Sequence, residues 1–193
     1  PRLLACGDLH HGPQPIHSLC VYLAAESHDA VLLTFNPALV EEVRKRVSVP
    51  VRSLPPTFFR YPSAIPSAQQ HLELLHVGNL GPHHPQRREL VNALLSRGRI
   101  PSRHATTKNA EEAAELYAQY CLVLNVPLNN DLNHRFFEVM AAGVPQVVFG
   151  DPGLLGNHQV LAERLDIFWA SSIEELETLV LRLFAEPQQL TSI

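Results

Sequence analysis

Apolar residues follow two different patterns along this chain, and the two patterns alternate. Several short segments are continuously or nearly continuously apolar, as strands are when both faces of their sheet are covered. They are residues 2–6, 30–35, 49–54, 72–77, 121–126, 146–149 and 166–170, and residues 100–105 are a weaker strand candidate. The segments between them repeat apolar residues every three or four positions, which is typical of helices with one buried face. This alternation predicts an α/β fold built on parallel sheets.

A proline-rich stretch interrupts the alternation. Residues 55–70 contain four prolines and follow neither pattern, so we interpret them as a linker between two lobes. We expect Phe58, Phe59 and Tyr61 to pin this linker to one of the lobes. The predicted organisation is the end of an N-terminal α/β lobe at 1–56, a linker at 57–71, a second α/β lobe at 72–186 and a tail at 187–193.

The segment 129–151 carries the most complete set of local signals. Asn129 and Asn130 are favourable N-cap residues, and Gly143 is a favourable helix stop. One face of the helix predicted between them is apolar and consists of Leu132, Phe136, Val139 and Met140. Another face is polar and consists of Asp131, His134, Arg135 and Glu138. From their spacing alone, Arg135 and Glu138 are most simply a solvated ion pair.

Cap residues predict the ends of the other helices of the second lobe. Gly98 closes a helix that begins at Pro85, and Ser172 opens the last helix. Asn109 is followed three residues later by a glutamate, as in a capping box. The helix that it opens shows helical spacing of apolar residues through Tyr120.

Composition excludes several classes of protein. The net charge is −4 and no run of Lys or Arg stands out, so no nucleic-acid partner is expected. No apolar run approaches the roughly 20 residues of a membrane span, and no signal peptide is present. Cys6, Cys20 and Cys121 have neither disulfide nor zinc spacing, which favours a reduced, cytoplasmic setting. The chain begins at Pro1 directly before a predicted strand, and we interpret it as a fragment of a longer polypeptide.

Ligands of open α/β sheets bind beyond the carboxyl ends of the strands. One segment predicted there contains Gly78 and Gly81, and it leads to a helix start that carries Arg87 and Arg88. Exposed N–H groups at a helix start attract phosphate, and arginine adds a bidentate grip. A glycine-proline loop with surface arginines explains the same residues, and the GNLG motif alone favours that simpler interpretation.

Two longer sequence motifs resemble a known family. HVGNLGPHHPQRREL and NNDLNHRFFEVMAAGVPQVVF look like the C-terminal lobe of a GT-B glycosyltransferase, and more narrowly like the glycosyltransferases grouped with the spore-maturation protein CgeB. The residues Arg135-Phe136-Phe137-Glu138 and Ala141-Ala142-Gly143 match the motif of an arginine, an apolar pair, a glutamate and a small-residue helix end. In the first lobe, GDLHHG looks like the strand end before the linker. The resemblance therefore spans nearly the whole chain.

The resemblance implies a GT-B-like fold in which a Rossmann-type second lobe holds a nucleotide diphosphate sugar. Glu138 matches the glutamate that grips the ribose, whereas Asn130 stands where related retaining enzymes carry a second glutamate. Whether the transfer retains or inverts the stereochemistry of the sugar is therefore left open. The implied donor-site residues are Gly78, Asn79, Arg87, Arg88, Asn130, Asp131, Asn133, Arg135 and Glu138. No cofactor or protein metal is expected, the acceptor is unknown, and His10 or His11 is the candidate general base.

Two other interpretations compete with this one. Asp8 and His10 resemble the D-x-H metal motif of metal-dependent phosphoesterases, and Gly156-Asn157-His158 echoes the G-N-H motif of that superfamily. The bridging aspartate and further histidines of such a site are missing from the sequence. A polar loop in a histidine-rich chain explains His10 and His11 equally well. The third interpretation is a non-catalytic GT-B-like module that binds nucleotide sugar or serves assembly.

Overall fold

A computed structural model of the chain describes residues 1–6, 14–33, 37–54, 59–82, 84–127, 132–153 and 167–190. The chain divides into two compact units. The first contains Pro1–Phe59 and Asn129–Asn133, and the second contains Arg60–Leu128 and His134–Ile193. Each unit is described by itself.

The first unit is a small parallel sheet with helices between its strands. Its elements are β1 (Leu3–Cys6), α1 (Pro15–Ala25), β2 (Ala30–Leu33), α2 (Pro37–Arg44) and β3 (Val51–Ser53). The strands pair in the order β1-β2-β3, and both pairings are parallel. Each helix begins with a proline, whose missing N–H costs nothing in a first turn. The core consists of Leu19, Val31, Leu33, Val40, Val43 and Val51.

The second unit is a five-stranded parallel sheet with helices on both faces. Its elements are β4 (His71–Val77), α3 (Pro85–Arg97), β5 (Ser102–Ala105), α4 (Ala110–Tyr117), β6 (Tyr120–Asn125), α5 (His134–Ala141), β7 (Gln146–Phe149), β8 (Ile167–Ala170), α6 (Ile173–Ala185) and a 3₁₀ helix (Pro187–Leu190). The strand order is β5-β4-β6-β7-β8. All four strand pairings are parallel, as the alternating pattern predicts.

The strand order places a topological switch point between β4 and β6. After β4 the chain moves outward to β5, then crosses back over β4 to β6 and continues in the opposite direction to β7 and β8. The connections after β4 and β6 therefore leave the sheet on opposite sides. In open parallel sheets the crevice for a ligand opens at this point, beyond the carboxyl ends of the strands.

Two apolar cores cover the two faces of this sheet. On one face, α3 and α6 pack on the strands through Leu90, Leu94, Leu176, Val180 and Leu183. On the other face, α4 and α5 pack through Ala113, Tyr117, Val139 and Ala142. Every residue of the central strand β6 is buried, because helices cover it from both sides.

A buried amide attaches α5 to the sheet. Gln146, the first residue of β7, is 1% exposed, and its Nε2 donates to the carbonyl oxygen of Phe136 at 3.0 Å. The Nδ2 of Asn125 in turn donates to the Gln146 Oε1 at 3.5 Å. Since a buried amide without partners would destabilise the fold, these bonds hold α5 against β7 and β6.

The helix ends of the second unit follow the cap residues of the sequence. The Asn109 side chain accepts from the N–H of Glu112 at 2.8 Å, and the Ser172 hydroxyl accepts from the N–H of Glu175 at 3.1 Å. Gly98 ends α3 with φ 57°, in the left-handed conformation that favours glycine. These predictions are confirmed.

Three elements differ from the sequence prediction. Helix α5 begins at His134, so Leu132 precedes the helix instead of belonging to its apolar face, and the predicted caps Asn129 and Asn130 lie outside the described residues. Helix α4 ends at Tyr117 because Tyr120 begins β6 and pairs with β4. The predicted tail forms the 3₁₀ helix at its start, where Leu190 is buried in the core beside α6.

Candidate functional site

The guanidinium of Arg135 lies close to Gly78 at the carboxyl end of β4. Arg135 lies in the first turn of α5, and Gly78 directly follows the last residue of β4. A Cβ atom built on Gly78 would lie 2.6 Å from the Nη1 and 2.9 Å from the Nη2 of Arg135. Gly78 also has φ +142°, a conformation that residues with side chains rarely adopt. The guanidinium lies against the backbone here because residue 78 is a glycine.

Tyr117 connects Arg135 to Glu138. Tyr117 is the last residue of α4 and is fully buried, and its hydroxyl donates to the Glu138 Oε2 at 3.4 Å. Burial raises the pKa of Tyr117 against the opposing effect of the Arg135 charge, so the phenol stays protonated and able to donate. Arg135 and Glu138 are both half-buried and share this phenol as a contact, an arrangement that differs from a solvated ion pair.

A second arginine reaches the same edge of the sheet from α3. The Nη2 of Arg87 donates to the carbonyl oxygen of Val126, which follows the last residue of β6, at 3.1 Å. Arg87 and Arg135 therefore bring two guanidinium groups to the ends of β4 and β6. These two strands bound the switch point, so the positive charge is concentrated where the fold opens a ligand crevice.

Two histidines lie side by side just below this edge. His76 on β4 and His104 on β5 are direct neighbours in the strand register, and their Nδ1 atoms are 3.0 Å apart. Burial first, and then the charges of Arg135, His104 and Arg87, lower the pKa of His76 to about 2. The His76 ring is therefore neutral at physiological pH.

Tyr61 fastens the end of the proline-rich stretch to α5. Its ring stacks on Phe137 with centroids 6.0 Å apart, and its hydroxyl lies 2.9 Å from the Nδ1 of His134. Burial, assisted by the charge of Glu138, raises the pKa of Tyr61 to about 12. Residues 60–70 contain neither helix nor strand and belong to the second unit, to which Tyr61 attaches them, as the sequence predicts for this stretch.

The residues singled out from the sequence have different positions. Gly78, Arg87, Arg135 and Glu138 converge at the switch point. Arg88 is exposed on α3, and the Asn79 side chain accepts from the N–H of Gly81 at 2.7 Å within its own loop. Asn133 belongs to the first unit. Four candidates lie outside the described residues, namely His10, His11, Asn130 and Asp131. The metal motifs of the phosphoesterase hypothesis, Asp8 with His10 and residues 156–158, also lie outside them.

Sequence reasoning missed three side chains of this cluster. Tyr117 continues the apolar face of α4, so it resembles an ordinary core residue. His76 and His104 lie on adjacent strands, and only the register of β4 with β5 makes them neighbours. The one available signal was His76 itself, a polar residue within the apolar run 72–77 and directly before the glycine loop.

Other kinds of site are not found in the described part of the chain. Its His, Cys, Asp and Glu side chains form no group of three or more that could hold a metal ion. Cys20 and Cys121 are free thiols. None of the described helices is long and apolar enough to cross a membrane.

Comparison with known proteins identifies the second unit. Residues 70–193 match the model of a family described as glycosyl transferase-like, which is more than half of the chain. No match is found among curated protein sequences.

The fold is similar to that of several solved structures. TarM of S. aureus matches with a TM-score of 0.63 and 10% identity over 97% of this chain and 44% of TarM. The Glycosylation Associate Protein (Gap123) complex from Streptococcus agalactiae matches with a TM-score of 0.55 and 11% identity over 97% of this chain and 44% of its own. The GtfA/B complex matches with a TM-score of 0.51 and 12% identity over 88% and 41%. The chain thus spans less than half the length of these proteins. Its mixed α/β fold with parallel sheets is similar to that of GT-B glycosyltransferases, which confirms the predicted fold class.

Replacing Gly78 with alanine should disturb the contact with Arg135. We expect Gly78→Ala to lower the free energy of unfolding by about 1–3 kcal/mol, because the φ of Gly78 is unfavourable for alanine and the new Cβ displaces the guanidinium. Gly98→Ala is the matched control, since Gly98 also has positive φ but nothing lies within 4 Å of its Cβ position. That variant should lose about 1 kcal/mol and leave Arg135 in place. Urea denaturation and a crystal structure of each variant measure both effects. An unmoved Arg135 in Gly78→Ala would contradict the predicted contact.

The neutral state of His76 should make stability depend on pH. The unfolded chain binds a proton at this histidine below pH about 6.5, whereas the folded chain does not. Stability contributed by the neutral ring is therefore fully present above about 6.5 and is lost as the pH falls toward about 2, with a limiting slope of about 1.4 kcal/mol per pH unit. We expect His76→Phe to have a shallower decrease of unfolding free energy than the wild type between pH about 6.5 and about 5. His71→Phe, at an exposed position of the same strand, is the control. Identical slopes in His76→Phe and the wild type would show that His76 is not the group responsible.

Proposed function

Because this chain belongs to the glycosyl transferase-like family, we propose that it takes part in transferring a sugar from a nucleotide diphosphate sugar to an acceptor. The second unit would hold the donor. The observation that carries this proposal is the convergence of Arg87, Arg135 and Glu138 at the switch point between β4 and β6. In such a donor, the diphosphate needs cations and the ribose needs a hydrogen-bond acceptor.

The two arginines would bind the diphosphate and stabilise it as a leaving group. Arg135 is half-buried, and its Nε has no hydrogen-bond partner among the described residues. A buried donor of this kind is costly unless a ligand accepts from it. When the bond to the sugar breaks, negative charge develops on the diphosphate, and fixed guanidinium groups stabilise that charge without reorganisation. We therefore propose a reaction that needs no protein-bound metal.

Glu138 would accept hydrogen bonds from the ribose hydroxyls. It lies three residues after Arg135 on the same side of α5, so phosphate and ribose contacts are adjacent. Tyr117 donates to the Glu138 Oε2 and thereby fixes the direction of the carboxylate. A fixed carboxylate loses less conformational entropy on binding than a mobile one.

UDP is the first nucleotide to test as part of the donor, because a solved structure of TarM contains UDP. We place the chain with the CgeB-like glycosyltransferases on the motif from Arg135 to Gly143. His10 or His11 is proposed as the general base that the acceptor lobe contributes.

Nucleotide binding tests the proposal directly. We expect UDP, GDP or dTDP to raise the free energy of unfolding by RT ln(1 + [L]/Kd), which is about 2.7 kcal/mol at a hundred times Kd. The stabilisation should be the same with and without Mn²⁺, as measured by thermal unfolding. Stabilisation by Mn²⁺ alone that Asp8→Ala removes would favour the phosphoesterase instead. No response to any nucleotide or to Mn²⁺ would favour a module that binds no donor.

Removing the carboxylate of Glu138 should weaken nucleotide binding without unfolding the protein. We expect Glu138→Ala to raise the Kd for UDP about tenfold or more, because hydrogen bonds to a charged group contribute about 1.5–3 kcal/mol. Glu89→Ala is the matched control, since Glu89 is exposed on α3 two residues after Arg87. Isothermal titration calorimetry gives both constants. An unchanged Kd in Glu138→Ala would remove this residue from the donor site.

A further inference from the structure

One ring nitrogen of the His76–His104 pair, the Nε2 of His76, has no hydrogen-bond partner among the described residues. His76 is 2% exposed, and this nitrogen is buried. The Nδ1 atoms of the pair are 3.0 Å apart, so one ring donates and the other accepts there. A buried polar nitrogen without a partner destabilises a fold, and native proteins rarely contain one without a reason.

The position of this nitrogen relates it to the crevice. His76 is the second-last residue of β4, two residues before Gly78. Its Nδ1 faces His104 on β5, and the two nitrogens of an imidazole direct their bonds away from each other. The Nε2 is therefore directed away from the His104 ring. The ends of β4 and β6 are where Arg135 and Arg87 bring their guanidinium groups.

We propose that His76 is a contact of the donor diphosphate, to which its Nε2–H donates a hydrogen bond while His104 holds the ring in that tautomer. This inference rests on the proposed function, because it assigns a further residue to the same site. A neutral histidine adds a directional donor between two charged groups, and it adds no third positive charge.

The contact between the rings allows two tautomers, and the proposal requires one of them. A neutral imidazole carries one proton. If the Nδ1–H of His104 donates to the Nδ1 of His76, the proton of His76 is at Nε2, where it can donate. Burial, and then the charges of Arg135, His104 and Arg87, lower the pKa of His76 and keep the ring from gaining a second proton. His104 is thus a positioning residue, and His76 would touch the ligand.

Two conservative variants of His76 test the roles of its two ring nitrogens separately. In His76→Asn the side-chain amide stands near the position of Nδ1, and in His76→Gln it stands near the position of Nε2. We expect the Kd for UDP to rise about tenfold in His76→Asn and to stay within about threefold of the wild type in His76→Gln. Urea denaturation without nucleotide shows whether both variants fold.

Uridine is the control ligand, because it lacks the diphosphate. Chemical-shift titration should give the same uridine affinity for His76→Asn and the wild type, whereas Glu138→Ala should weaken both uridine and UDP binding. Equal UDP affinity in His76→Asn and the wild type would overturn the inference, and so would a parallel loss of uridine binding. Should the asparagine variant not fold, the imidazole ¹⁵N resonances of the wild type decide, since a His76 Nε2 signal that UDP leaves unshifted overturns it.

The outcomes also separate this inference from the proposed function. A wild-type chain that binds no nucleotide overturns both. A wild-type chain that binds UDP through Glu138, together with an unaffected His76→Asn variant, overturns only the role of His76. A selective loss of UDP binding in His76→Asn, with recovery in His76→Gln, supports the diphosphate contact.

Discussion

The half-buried charge of Arg135 is the constraint on which the candidate site depends. Removing a guanidinium from water is costly unless its surroundings compensate, and here Tyr117 and the backbone at Gly78 lie against it. The glycine permits the approach, and the phenol connects the cation to Glu138. The cation fixed at the end of β4 also acts on the neighbouring histidine, because burial and then the charge of Arg135 lower the pKa of His76.

The fold concentrates these groups without a long binding loop. Parallel strands end at one edge, and the order β5-β4-β6 sends the chain away in opposite directions from β4 and β6. Residues from α3, α4 and α5 therefore reach the same edge although up to fifty residues separate them in sequence. This arrangement explains why Arg87 and Arg135, which are far apart in the sequence, lie at the ends of the same two strands.

Local signals in the sequence were sufficient for most of the fold and for only part of the site. The caps Asn109 and Ser172 and the stop at Gly98 act within one helical turn, so they are readable from the sequence. The histidine pair depends on strand register, which is not local. Helix α5 begins later than the asparagine-rich segment suggests, because several adjacent residues there are competent caps and only tertiary packing selects among them.

The amide of Gln146 has a consequence for how this protein family can diversify. Its Nε2 holds α5 through a main-chain carbonyl, which residue 136 presents whatever its side chain is. This bond to α5 therefore does not depend on which side chains the helix carries. Substitutions on the exposed and crevice-facing sides of α5 can accumulate while the helix stays in place. Side chains on these sides of α5 can therefore change singly, provided that the buried glutamine on the neighbouring strand keeps its bond to the main chain of the helix.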